Sequence, residues 1–99
     1  MERQLVFEDF KDRVGSIFTL CESEVPRIPL ELHEATLLPA NFAPPGVRPP
    51  FSLRFIGVGE MILPQRLYRL WHAETGEVTI FLVPIAKGQG GVTYEATFN

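Results

Sequence analysis

Cysteine is almost absent: Cys21 stands alone, which rules out an intramolecular disulfide and a cysteine-rich metal knuckle. Aspartate is nearly as scarce. Asp9 and Asp12 are the only two, both near the N-terminus, and Ser16, Ser23 and Ser52 sit in no nucleophile-elbow pattern, so a Ser/His/Asp arrangement has little to build on. The two histidines, His33 and His72, fall in no HxH or HExxH spacing, and with Glu31 and Glu34 they make no metal-ligand pattern. Basic runs are missing as well. With 9 Lys and Arg against 12 Asp and Glu, a net charge of −3, the electrostatic footprint of nucleic-acid binding is lacking. No apolar stretch approaches the length of a membrane-spanning helix, and the first ten residues are too charged for a signal peptide, so the expected location is cytoplasmic. These absences together predict a protein that is not an enzyme, with no catalytic residues, cofactor, metal, nucleic acid or membrane partner.

What is present is punctuation. Nine prolines and eight glycines in 99 residues suit a chain of short strands and turns, and 45% hydrophobic residues suffice for the core of a single domain over residues 1–99. Leu5, Phe7, Phe10 and Val14 recur at near-helical spacing, with Glu8, Asp9, Lys11, Asp12 and Arg13 between them and Gly15 at the stop position. The spacing predicts a short α-helix over 5–14.

Strands are expected at about 16–22, 29–37, 51–57, 66–73, 77–86 and 92–98, from the alternation of apolar and polar residues. Five prolines (Pro39, Pro44, Pro45, Pro49 and Pro50) make 38–50 an extended surface loop, with Phe42 tucked against the body. Around Gly76 a three-residue hairpin loop with glycine third is expected, pairing Tyr68 with Leu82, Leu70 with Ile80 and His72 with Val78. A similar reversal at Gly90 pairs Pro84 with Tyr94, Leu82 with Ala96 and Ile80 with Phe98. The predicted fold is mainly β: a curled antiparallel meander or small barrel of five to six strands with one short N-terminal α-helix. Its core face holds Phe18, Leu20, Leu30, Leu32, Phe51, Leu53, Phe55, Tyr68, Leu70, Ile80, Leu82, Tyr94 and Phe98.

The segment 78–85 is apolar on both faces, which leaves Ile56, Leu67, Arg69, Trp71, Phe81, Val83 and Ile85 on a second surface in need of cover. The bland expectation is that the N-terminal helix covers it, with Phe7 and Phe10 laid across. The sharper one is a protein partner or a second copy of the chain, since tryptophan beside arginine is the composition of an interface anchor. Two rivals stay open. A curled sheet can open a small-ligand pocket, or a minor active site, lined by Tyr68, His72 and Tyr94 with Arg54 or Arg69 at its mouth. Alternatively, the final strand leaves an open edge through which two chains pair.

Arg48-Pro49-Pro50-Phe51-Ser52-Leu53, Leu63-Pro64-Gln65 leading into Tyr68-Arg69-Leu70, Phe81-Leu82-Val83-Pro84-Ile85 and the ending Tyr94-Glu95-Ala96-Thr97-Phe98-Asn99 resemble a family of small uncharacterised bacterial proteins. The segment Phe10 to Gly15 followed by Phe18 fits the same likeness, which covers nearly the whole chain. The resemblance implies a bacterial source, a freestanding domain and a setting beside phage-tail-collar-like proteins. It carries no activity and therefore no catalytic residues.

Overall fold

The computed structural model describes residues 5–22, 27–39, 46, 48–59, 61–88 and 90–98. Phe42, most of the proline-rich loop, Ser23 to Pro26 and the terminal Asn99 lie outside the described residues. Six strands form: β1 (Ile17–Leu20), β2 (Ile28–Leu37), β3 (Phe51–Gly57), β4 (Arg66–His72), β5 (Gly76–Gly88) and β6 (Gly91–Phe98). They close into an antiparallel barrel in the order β1-β2-β3-β6-β5-β4.

That order departs from a simple meander. β3 does not pair with β4; it pairs with β6 along its whole length, and the segment that includes 61–65 crosses the end of the barrel to start β4 three positions away. Closure follows from two long strands that bend. In β2 the extra residue His33 sits between the Leu32–Phe55 and Glu34–Arg54 pairs, and in β5 Ile85 sits between Pro84–Tyr94 and Ala86–Thr93. Each bulge kinks its strand and adds twist, so one strand serves two neighbours in succession. β5 pairs with β4 over Gly76 to Leu82 and with β6 over Val83 to Gly88. The seam between β1 and β4 is the shortest, with Thr19 opposite Trp71 and Leu20 opposite Leu70.

Both reversals keep the faces expected from the sequence; the first changes the partners, and the second keeps them up to the Ile85 bulge. In the β4–β5 hairpin Tyr68 lies opposite Ile80, Leu70 opposite Val78 and His72 opposite Gly76, two residues from the predicted register. His72 Nδ1 accepts the Glu74 amide at 3.0 Å, which ends the ladder at His72 and leaves Ala73, Glu74 and Thr75 as the loop. An even slip preserves side-chain parity, so the core set is unchanged. In the β5–β6 turn, Pro84 does face Tyr94, but the Ile85 bulge shifts the pairs nearer the turn, and the ladder stops at Val83–Glu95 short of Leu82 and Ile80. The glycine at positive φ is Gly91 (φ 128), not Gly90. A Cβ on Gly91 would stand 2.1 Å from the Gly57 carbonyl oxygen, so the close approach of two strands requires glycine there.

The predicted N-terminal α-helix is replaced by two 3-10 turns, Phe7–Asp9 and Lys11–Arg13. Asp9 accounts for the change: its amide donates to Val6 O at 3.0 Å and its carboxylate accepts the Val6 amide at 2.9 Å, closing a tight turn. Phe10 then adopts φ −122, outside the helical region, and drops fully buried into the barrel end. There it packs against Phe18, Phe51 and Phe98, with ring centroids 6.0, 5.9 and 6.2 Å away. Phe51 and Phe98 stack at 4.5 Å beneath the Arg48 guanidinium, which also donates to Leu5 O. The N-terminal segment is therefore a plug in the mouth of the barrel.

The opposite mouth is closed by the crossing segment. Leu63 is buried, its amide donates to the Tyr94 hydroxyl at 2.9 Å, and the Tyr68 hydroxyl donates to Pro64 O. Between the plugs, all the predicted core residues are buried except Phe98, which is half-buried, and Phe10, Leu63, Val78, Val92 and Ala96 join them.

Candidate interaction surface

Strand parity decides what each wall shows to solvent. On β2, β3 and β6 the outward residues include Glu31, Glu34, Ser52, Arg54, Thr93, Glu95 and Thr97, a polar wall on which Arg54 lies between Glu34 (3.8 Å) and Glu95 (3.5 Å). On β4 and β5 they are Leu67, Arg69, Trp71, Glu77, Thr79, Phe81 and Val83, with Ile85 following at the bulge. Leu67 is 58% exposed, Trp71 49%, Phe81 45% and Ile85 43%, while Val83 is half-buried.

The register arranges this wall in rows. Trp71 lies between Thr19 and Glu77; Arg69 lies beside Thr79 in the next row; Leu67 lies beside Phe81 in the row after that. Glu22 holds the arginines in place: its carboxylate accepts the Arg69 amide at 2.8 Å and stands 3.8 Å from the Arg69 and 4.0 Å from the Arg66 guanidinium. It substitutes for main-chain pairing where β1 has ended, since the Cys21 amide makes the adjoining bond to Arg69 O.

Of the sequence-predicted surface, Leu67, Arg69, Trp71, Phe81, Val83 and Ile85 are brought together. Ile56 is not. It lies half-buried on β3, between Glu31 and Thr93, across the ring from β4. Residues 5–14 do not cover the wall either, because Phe10 is inside the barrel end and Phe7 packs against Phe51, and this overturns the bland expectation. Sequence reading missed Ile17, 48% exposed on β1, and the crossing-segment residues Val58, Met61 and Ile62, which are also exposed. Ile17 was visible in the alternation of β1, being the outward neighbour of inward Phe18. The crossing segment had no periodic signal.

The three residues of the alternative pocket lie in the packed interior. Tyr68 and Tyr94 are buried with their hydroxyls bonded to the crossing segment. Burial holds the Tyr68 phenol above its ordinary value of 10.0, against the opposing pull of Arg66, whose guanidinium lies 5.0 Å from the ring. His72, also buried, accepts the Glu74 amide at Nδ1, so its proton is on Nε2, which donates to Ser16 Oγ at 2.9 Å; Ser16 in turn donates to Arg13 O. The chain ties the hairpin to the plug. Arg54 and Arg69 are on the outer walls, away from any such mouth. Among the described residues no three His, Cys, Asp or Glu side chains group as metal ligands.

The expected open edge on the last strand is largely taken. β6 is paired to β3 from Val92 to Phe98 and to β5 from Gly91 to Glu95.

Residues 5–98 match the family model described as Domain of unknown function (DUF6916). The chain belongs to this family. No curated protein and no solved structure matches the chain. The residues that suggested a family resemblance do structural work in this DUF6916 domain: Arg48, Phe51 and Phe98 form the plugged mouth, and Leu63, Pro64, Tyr68 and Tyr94 form the crossed one.

Proposed function

We propose that this DUF6916 domain is a non-enzymatic protein-interaction module that docks through the outer wall of β4 and β5. The observation that carries this reading is the division of the barrel exterior: Glu31, Glu34, Arg54 and Glu95 face solvent on one half, whereas Leu67, Trp71, Phe81 and Ile85 face it on the other. Leaving such side chains bare in water is unfavourable by roughly 25 cal/mol for each Å² of apolar surface, and soluble domains seldom keep a large contiguous patch without a use for it. The interior supports the same reading, because its tyrosines and histidine spend their polar atoms on holding the two mouths shut. The bacterial origin and the accessory role in a phage-tail-like assembly are the finer part of the proposal and rest on the family resemblance of the quoted segments alone.

The test is site-specific photocrosslinking in the native cell. A crosslinking side chain at Phe81 is expected to trap protein, whether another chain or a copy of this one, and the same group at Thr97 on the polar wall is expected to trap little. Equal yields from both positions would remove the basis for the reading.

A further inference from the structure

The wall can be asked what kind of partner it fits. Taking each side chain's exposed fraction against an ordinary residue area, Ile17, Leu67, Trp71, Phe81 and Ile85 present roughly 500 Å² of apolar surface. A stable dimer needs about 800 Å² from each subunit, and homodimer interfaces are about 65% apolar. These side chains therefore match the apolar share of one side of such an interface.

Charge narrows the choice. The wall and its border hold Arg66, Arg69 and Lys87 against Glu22, Glu74 and Glu77, three of each sign, while the whole chain carries −3. Glu22 already engages both arginines, which leaves, among the described residues of the hairpin, Lys87 at one end and Glu74 and Glu77 at the other, too little charge of either sign to select a strongly charged partner. The excess negative charge lies elsewhere, including Glu31, Glu34 and Glu95 of the polar wall, which a partner seated on β4 and β5 leaves in water. A surface that is apolar, near-neutral and mixed in sign meets its own copy without repulsion, which is the requirement of an isologous contact.

We infer that the occupant is a second copy of this chain, and that the domain forms a two-fold dimer through β4 and β5 with Trp71, Leu67 and Phe81 at its centre. The inference rests on the reading of this wall as the docking surface and adds the identity of the partner. It does not use strand pairing, because the barrel is closed; the contact is face to face.

Sedimentation equilibrium of the purified full chain, from micromolar to millimolar concentration, provides the test, run beside Phe81→Lys and Leu67→Asp. Both positions point outward, so far-UV circular dichroism should show the variants folded. The expected result is a wild-type mass of twice 11.2 kDa and single-chain mass for both variants. A wild type that stays at single-chain mass to millimolar concentration overturns the inference, as does a dimer that survives in both folded variants. In the first of those cases, crosslinking at Phe81 to a different protein would still uphold the docking surface, so the two readings fail separately.

Discussion

Replacing Phe10 with alanine tests whether the N-terminal segment is part of the fold or an attachment to it. The ring is fully buried and meets three other rings at 5.9 to 6.2 Å, so its removal leaves a hole ringed by Phe18, Phe51 and Phe98. Truncating a buried phenylalanine costs about 3–5 kcal/mol, transfer and cavity together. Against a total stability of roughly 5–15 kcal/mol, that is a large fraction. For a domain of this size each kcal/mol moves the midpoint by about 4–8 °C, so a fall on the order of 20 °C is expected. Guanidinium titrations followed by far-UV circular dichroism measure the loss. Phe7→Ala is the internal reference, because Phe7 is half-buried and meets Phe51 alone, edge-on at 6.3 Å. It should cost clearly less. If Phe10→Ala costs no more than Phe7→Ala, or less than about 1 kcal/mol, the ring is not a buried part of the core and the plug account is wrong.

Tyr94→Phe removes only the hydroxyl that accepts the Leu63 amide, leaving a buried donor unpaired, and should cost about 1–3 kcal/mol in the same titration. Gly91→Ala places a methyl against the Gly57 carbonyl at a positive φ and should cost roughly 3 kcal/mol or more, whereas Gly59→Ala, at φ 102 in open space, bears only the backbone strain; a smaller loss at Gly91 than at Gly59 contradicts the close approach. Tyr68 has a folded-state pKa raised by burial above 10.0, so the stability it contributes is complete below pH 10 and is lost as pH rises through the folded value. Melting midpoints between pH 8 and 11 should fall more steeply for wild type than for Tyr68→Phe, and parallel curves would refute the assignment. Arg54→Ala is the control: its pairs with Glu34 and Glu95 are largely exposed, and it should change stability by less than about 1 kcal/mol.

How far the residues announce this structure depends on the range of the interactions involved. Period-two alternation is local, and it sorted β3, β4 and β6 into inner and outer faces because one misplaced residue would bury polar side chains. Turn closure is less local. Nothing in Ala73-Glu74-Thr75-Gly76 reveals that His72 will take the Glu74 amide and move the three-residue loop back by one position, which slides the register by two. The 3-10 plug lay further out of reach. Phe7, Phe10 and Val14 do show helical spacing, but Phe10 is drawn into the barrel end by rings from β1, β3 and β6, and a two-turn helix has too little intrinsic stability to resist. The candidate surface was legible in six of the seven residues first singled out, because Leu67, Arg69 and Trp71 share one strand face and Phe81 and Val83 the next, with Ile85 following at the bulge. Ile56 failed for a topological reason: only the order β3-β6-β5-β4 reveals that β3 and β4 stand across the barrel from each other.

That order also bears on where function resides. A sheet that closes on itself gives up most of its free edges, so little of it remains for strand addition. Two plugs, one centred on Phe10 and the other on Leu63, occupy the two ends through which a ligand would reach the barrel interior. The outer surface is what remains, and on it the distribution of side chains is uneven in a way that folding does not require: Trp71 and Phe81 point away from the core and could be threonine, as Thr97 is on β6, at no loss of internal packing. Stability alone therefore leaves the choice of residue at these positions free. In the proposed reading a second surface removes these groups from water, and the wall of β4 and β5 is the place where contact with another protein chain is to be sought.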